Sequence, residues 1–189
     1  MRRLLIHACC APCFTYIEKD LRENGILNNE GKREFVNYTA CFYNSNIHPK
    51  EEYIKRKEAF YDFCKIKEVK NVIIDEYELD GFVKYVTDNV GKGKKYCIRC
   101  EYCYYLRLRK VFEYAKENNF DIVSTTLTIS PYQNHELIKK VGKNLQEEYG
   151  IEFIYVDYRE HFREGQKMAR EIGIYMQKYC GCIFSTKVR

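Results

Sequence analysis

The chain has 189 residues, the length of one ordinary domain, with enough material to bury a continuous core. Hydrophobic residues at 46% and charged residues at 31% exclude disordered and fibrous classes, and apolar runs such as LLIHACCA and NVIID fall well short of the roughly 18 to 20 residues that a membrane-spanning helix needs. Thirty-two Lys and Arg against 27 Asp and Glu leave a net charge of +5, which suits a polyanionic partner and an ordinary surface equally.

The opening MRRLLIHACCAPC places two arginines before an apolar run, but that run is too short for a secretory signal and enters a cysteine cluster at once. Residues 3–8 therefore read as a buried first strand, and 14–24 as an amphipathic helix that stops before Gly25. After a polar stretch, 34–44 reads as a second strand, and Pro49 starts a helix that runs to about residue 66. A third strand is expected over 71–78, a short helix over 80–90, a mobile basic turn at 91–95 and a long helix over 97–119. A fourth strand at 120–125, a loop at 129–134, a helix closed by Gly150 and a fifth strand at 151–157 follow. The last thirty residues read as helical before a turn at Cys180-Gly181-Cys182. This alternation predicts a parallel, doubly wound α/β sheet covered on both faces, in a single domain over 1–189.

Ten cysteines, about 5% of the chain, are too few for a disulfide-built secreted scaffold. Eight are grouped: Cys9, Cys10 and Cys13; Cys97, Cys100 and Cys103; Cys180 and Cys182. Cys41 and Cys64 stand alone. Such grouping points to metal ligation or thiol redox chemistry in a cytoplasmic protein. Three thiols in five positions, ending at Pro12, read as a ligand loop rather than core packing. The two overlapping C-x-x-C units at 97–103 lie at a helix start, where the dipole favours thiolate, and Gly181 lets both tail sulfurs face one site. Each group falls at a strand end or in the tail, so all three can converge outside the carboxyl edge of the sheet.

Thiolates suit zinc, Cu(I) and iron–sulfur clusters, and eight exceed what one site needs. His7, His48, His135 and His161 lack zinc-hydrolase spacing; only His7, beside the cysteine loop, is suggestive, and it reads first as a satisfied core histidine. Dinucleotide, P-loop and serine-hydrolase signatures are absent. Lys92, Lys94 and Lys95, the run Tyr102 to Lys110, and Lys139, Lys140 and Lys143 interleave basic with aromatic residues, a pattern that fits RNA or a solvated helix face.

The segments His7-Ala-Cys9-Cys10-Ala-Pro-Cys13, Phe42 to Pro49 with Glu52-Tyr53 and Arg56, Cys100-Glu-Tyr-Cys103-Tyr104 with Arg107-Leu108, Thr125 to Tyr132, and Tyr179 to Ser185 together resemble the QueH-type epoxyqueuosine reductase family. The likeness runs from end to end. It departs at Ser45, where the family usually has Pro, at Met176, where it often has Arg, and at the additional Cys97. The resemblance implies a Rossmann-related, HUP-type α/β domain and reductive deoxygenation of epoxyqueuosine at the wobble position of a tRNA. It implies a 4Fe–4S cluster, a second mononuclear metal expected to be iron, no cobalamin, no membrane and an unidentified electron donor. On it, Cys9, Cys10, Cys100 and Cys103 are expected to hold the cluster, and Cys13, Cys180 and Cys182 the second metal with an open position for the epoxide oxygen. His7, Tyr132 and Tyr179 are the candidate proton donors, and Lys92, Lys94, Lys95, Arg107 and Arg109 the expected tRNA contacts. Two alternatives remain: a HUP-type tRNA-thiolating enzyme, whose ATP-binding S-G-G-x-D-S loop is here replaced by the cysteine loop, and a non-catalytic zinc-binding nucleic-acid module.

Overall fold

Strand β1 (Arg3–His7) lies at the centre of the molecule because Leu4, Leu5 and Ile6 leave it nothing to show to water on either face. A computed structural model describes residues 1–96 and 98–185 of the chain. In it β1 pairs in parallel with β4 (Asn37–Phe42) on one side and β6 (Ile122–Thr125) on the other. Edge strands β5 (Asn71–Ile73) and β7 (Glu152–Phe153) complete a five-stranded parallel sheet in the order β5-β4-β1-β6-β7. The chain moves one way from β1 to β4 and the other way from β6 to β7, so right-handed crossovers put the connecting helices on opposite faces. Helix α1 (Ala11–Asn24) packs against α2 (Lys50–Ile66) and α6 (Phe162–Ile172), while α4 (Arg99–Glu117) packs against α5 (His135–Tyr149). The short α3 (Leu79–Asn89) leans on α4. No described helix is long and apolar enough to cross a membrane.

The expected doubly wound arrangement is present, with four local differences. Helix α1 starts at Ala11 rather than 14, because Cys10 caps it and Pro12 fits its first turn, where no backbone donor is needed. The polar stretch after α1 closes a small antiparallel hairpin, β2 (Ile26–Leu27) and β3 (Arg33–Glu34), whose turn is held by Asn28 Oδ1 accepting from the amides of Glu30 and Lys32. The third and fifth strands are shorter than expected because each pairs on one side only. The tail is not helical throughout: α6 stops at Gly173, whose φ of 79° closes it, and the chain then runs irregularly to a 3-10 turn at Ile183–Ser185.

Asp20 ties these pieces together. Buried on α1, it accepts from Arg33 Nη1 of the hairpin at 2.6 Å, from Tyr158 OH ahead of α6 at 2.9 Å and from Asn24 Nδ2 at 2.9 Å. Burial pushes its carboxyl up, but these donors, Arg33 first, outweigh it and hold the group below its ordinary value. Its stabilisation is therefore complete above the unfolded value near pH 4 and is lost as pH falls through the lower folded one. Asp20→Asn is expected to destabilise the fold by about 1–3 kcal/mol at pH 7 and by progressively less below pH 4, as read by urea unfolding across that range.

Candidate metal centre

The sheet order reverses between β1 and β6, and the crevice at their carboxyl ends is where a doubly wound fold offers a ligand site. After Ala8 donates to Cys41 O, β1 leaves the ladder and Cys9 N is taken up by Thr126 Oγ1 at 3.0 Å. The next residue, Cys10, is the N-cap of α1 and its sulfur accepts from Cys13 N at 3.3 Å. An N-cap and the residue three places on share one helix end, so the sulfurs of Cys9, Cys10 and Cys13 come to lie within 4.8 Å of one another.

The three thiols are electrostatically unlike. Hydrogen bonding from Cys10 and Cys13, joined by Thr126 Oγ1 at 3.3 Å, holds Cys9 well below the ordinary thiol value despite its burial. Cys10 is pushed up chiefly by burial, and Cys13 by its bonds to Cys10 and Cys9 and then by burial. Gln177 Nε2 donates to Cys10 Sγ at 2.7 Å, while its Oε1 is buried without a partner.

A cavity of about 560 Å³ opens above these sulfurs, lined by Cys9, Cys10, Cys13, Cys100, Cys103, Cys180 and Cys182. Cys100 and Cys103 come from the start of α4, and Cys180 and Cys182 from the tail. All seven are free thiols, so the convergence is not a disulfide framework. Cys41 and Cys64 make the contrast: both sit in the core outside the cavity, and burial raises each to about 12, as expected of inert thiols.

Positive charge accompanies the sulfur. Arg56, Arg99, Arg107 and Lys178 line the cavity, and no carboxylate is among its described lining residues. Arg107 is only 4% exposed. Its Nε donates to Asn46 Oδ1 at 2.9 Å, and Asn46 Nδ2 in turn donates to Cys103 Sγ at 3.1 Å. Burial opposes the guanidinium charge, but the sulfurs of Cys103, Cys9, Cys180 and Cys182 more than offset it and raise its pKa. A sulfur-rich cavity that also holds the buried guanidinium groups of Arg56 and Arg107 fits an anionic metal–sulfur group.

The structure rearranges several sequence expectations. Cys13 groups with Cys9 and Cys10 rather than with Cys180 and Cys182, because the first turn of α1 carries it back over Cys10. His7 lies outside the cavity lining, buried between Thr125 Oγ1 at 2.9 Å and Tyr43 O at 3.1 Å, and burial lowers it to about 4. It ties the ends of β1, β4 and β6 together. Tyr132, 83% exposed, stands at the cavity mouth with its ring edge-on to Phe162 at 5.9 Å. Tyr179 also lines the cavity, but its hydroxyl donates to His48 O and burial raises its pKa.

Arg107 is buried at the cavity, bonded to Asn46 and facing the sulfurs, rather than on the outer surface of α4. Lys92, Lys94 and Lys95 are exposed in the turn after α3 and are not among the cavity-lining residues; Arg109 pairs with Glu113 at 3.6 Å on the outer part of α4. Cys97 lies outside the described residues. Thr126 and Gln177, direct partners of the Cys9 and Cys10 sulfurs, carry no spacing signal that links them to the loop at 9–13.

Residues 4–188 match the family described as Epoxyqueuosine reductase QueH. Epoxyqueuosine reductase QueH of Thermotoga maritima is 34% identical over 192 residues, covering 98% of this chain and 91% of that protein. Its counterpart in Staphylococcus aureus is 32% identical over 191 residues, covering 97% and 75%. Among solved structures, the U34-tRNA thiolase NcsA from Methanococcus maripaludis with its 4Fe–4S cluster superposes with a TM-score of 0.53 at 13% identity, covering 97% of this chain and 61% of that one, a likeness of fold. With a family match over almost its whole length and relatives above 30% identity, this chain belongs to the epoxyqueuosine reductase QueH family.

Proposed function

We propose that this protein reduces the epoxide of epoxyqueuosine, at the wobble position of a tRNA, to the cyclopentene of queuosine. Two electrons and two protons enter, both carbon–oxygen bonds of the epoxide break, and the oxygen leaves as water. The observation that carries the reading is the seven-cysteine cavity with Arg107 enclosed beside it, at the switch point of a chain that belongs to this family.

Seven sulfurs exceed the four that hold one cubane cluster. Cys9, Cys10 and Cys13 form one group and serve one centre, a 4Fe–4S cluster; the surplus from Cys100, Cys103, Cys180 and Cys182 completes it and holds a second metal, iron. When bound, such a group supplies one-electron transfer, fed by an external reductant. The protein's own part is distinct. Gln177 and Thr126 orient the sulfurs through their hydrogen bonds, and Arg107 holds positive charge beside them. Arg99 and Lys178 at the cavity accept the anionic RNA, with further backbone contacts from Lys92, Lys94, Lys95 and Arg109 giving salt-dependent affinity.

With His7 sealed away and Tyr179 engaged by His48, Tyr132 is the hydroxyl placed to hold the proton for the departing oxygen, at Oη. Tyr132→Phe is expected to lower kcat by about 10²-fold or more with little change in KM, the usual scale of a lost general acid. Single-turnover and steady-state conversion of epoxyqueuosine tRNA measure both.

A tRNA-thiolating activity would need an ATP-cradling glycine-rich loop after β1, where this chain has Cys9-Cys10-Ala11-Pro12-Cys13. Purification without oxygen, with iron and sulfide counts and EPR of the reduced protein, tests the proposal against a zinc module. About four or five irons per chain with a reduced-cluster signal is the expected result; zinc alone, with no iron after reconstitution, contradicts it.

A further inference from the structure

We infer that the buried Glu52–Arg56 pair on α2 is a latch that positions the tail cysteines, Cys180 and Cys182, at the cavity. The two side chains lie one helical turn apart and are 9% and 3% exposed. A buried ion pair is weak evidence for stability in itself, so where its remaining hydrogen-bonding groups go is informative. Here they go to the tail. Arg56 Nε donates to Glu52 Oε1 at 2.7 Å, and Nη2, also 2.7 Å from that oxygen, donates to Tyr179 O at 2.9 Å, with the guanidinium carbon 5.3 Å from the centre of the Tyr179 ring. The second oxygen of Glu52 accepts from Tyr175 OH at 2.7 Å.

The residue before α2's cap clasps the same stretch. His48 N donates to Gly181 O at 2.8 Å, and His48 O accepts from Tyr179 OH. Gly181 holds φ at 90°, and a Cβ there would come within 3.1 Å of Arg56 Nη1 and of Ile47 Cγ1. The glycine of the C-x-C motif thus permits the close approach of tail to latch.

The tail has need of such a device. Between the end of α6 and the 3-10 turn at Ile183–Ser185 no helix or strand orders it, so its backbone depends on side-chain partners. Gln177, which donates to Cys10 Sγ, sits between the anchored Tyr175 and Tyr179. Glu52 and Arg56 are positioning residues: they act through the tail rather than on a substrate. The inference rests on the reading that the tail sulfurs work in this cavity, but its test needs neither substrate nor turnover.

The test is residue-resolved alkylation of the full chain, purified without oxygen, with and without prior chelator treatment. Cys41 and Cys64 report on the integrity of the core. In Arg56→Met, Cys182, which is buried, is expected to react about ten- to a hundred-fold faster than in the unaltered protein, the scale set by one lost charged hydrogen bond acting on local opening, while Cys180, already exposed, sets the unhindered rate. Cys41 and Cys64 should stay protected, and Arg56→Lys should restore part of the protection. Gly181→Ala, which leaves the ion pair intact, is expected to give the same pattern. Unchanged Cys182 reactivity in both variants, or exposure of Cys41 and Cys64 together with Cys182, would overturn the latch. Failure of the unaltered protein to convert epoxyqueuosine tRNA would instead sink the reductase reading and leave this result standing.

Discussion

Cys10→Ser is expected to give a folded protein that holds no complete cluster. Serine is a better N-cap than cysteine, and its hydroxyl can still accept from the backbone amide of Cys13, so α1 keeps its start. The hard oxygen is a poor substitute for a soft thiolate toward iron. The same change removes the sulfur that Gln177 Nε2 contacts at 2.7 Å and breaks the group that Cys10 shares with Cys9 and Cys13. Reductase activity should fall by more than the roughly 10- to 100-fold that follows loss of an outer-shell partner. Cys64→Ala supplies the comparison, since that thiol is buried on α2 outside the cavity and should keep a full iron complement. Iron and sulfide counts, with circular dichroism on the same samples, separate lost ligation from lost fold.

Arg107→Met carries the second large expectation. Methionine matches the length of the arginine stem but removes the enclosed cation, leaving Asn46 Oδ1 without its donor and freeing the Asn46 amide that holds Cys103 Sγ. The loaded state should suffer most, because an anionic metal–sulfur group then loses one of its buried countercharges. Iron retention against a competing chelator is expected to drop about 10- to 100-fold, and the gap in Tm between loaded and metal-free protein should narrow. Arg107→Lys keeps the charge without the planar fork and should recover part of the loss. Retention equal to that of the unaltered protein would show that Arg107 does not serve the metal centre.

The sheet was legible because its signals are local and redundant. The apolar run of β1, the FDIVST segment at β6 and the helical periodicity between them repeat the same message, and alternation of strand and helix leaves few topologies open. Edges were harder. The extended segments after β5 and β7 look like strand but make only isolated backbone bonds, such as Ile74 to Phe42 and Ile154 to Val123, rather than a continued ladder, and pairing is a tertiary fact. The tail misled for a related reason: helical spacing continues past Gly173, while the partners that hold it straight, Glu52, Arg56 and His48, lie more than a hundred residues earlier.

At the site, residue type pointed to the sulfurs and geometry rearranged them. Spacing marked all three cysteine groups, because clustered thiols seldom serve packing. Which sulfurs share a group depended on the start of α1, three residues earlier than periodicity placed it, and this moved Cys13 to the side of Cys9 and Cys10. His7 and Arg107 show the limit most clearly. Adjacency to the cysteine loop made His7 a candidate beside its reading as a core histidine, and its strand position buries it outside the cavity lining; a basic helix made Arg107 look like an RNA contact, yet its face of α4 turns inward.

The central claim is that this protein removes the epoxide oxygen from epoxyqueuosine in tRNA, and the most direct measurement is nucleoside mass spectrometry before and after reaction. The iron-loaded protein, supplied with epoxyqueuosine tRNA and a low-potential one-electron reductant, should convert the epoxyqueuosine peak into one lighter by a single oxygen atom that co-elutes with queuosine, whereas Cys10→Ser should leave it unchanged. Epoxyqueuosine that persists at full height in the presence of a fully loaded, reduced cluster would contradict the account.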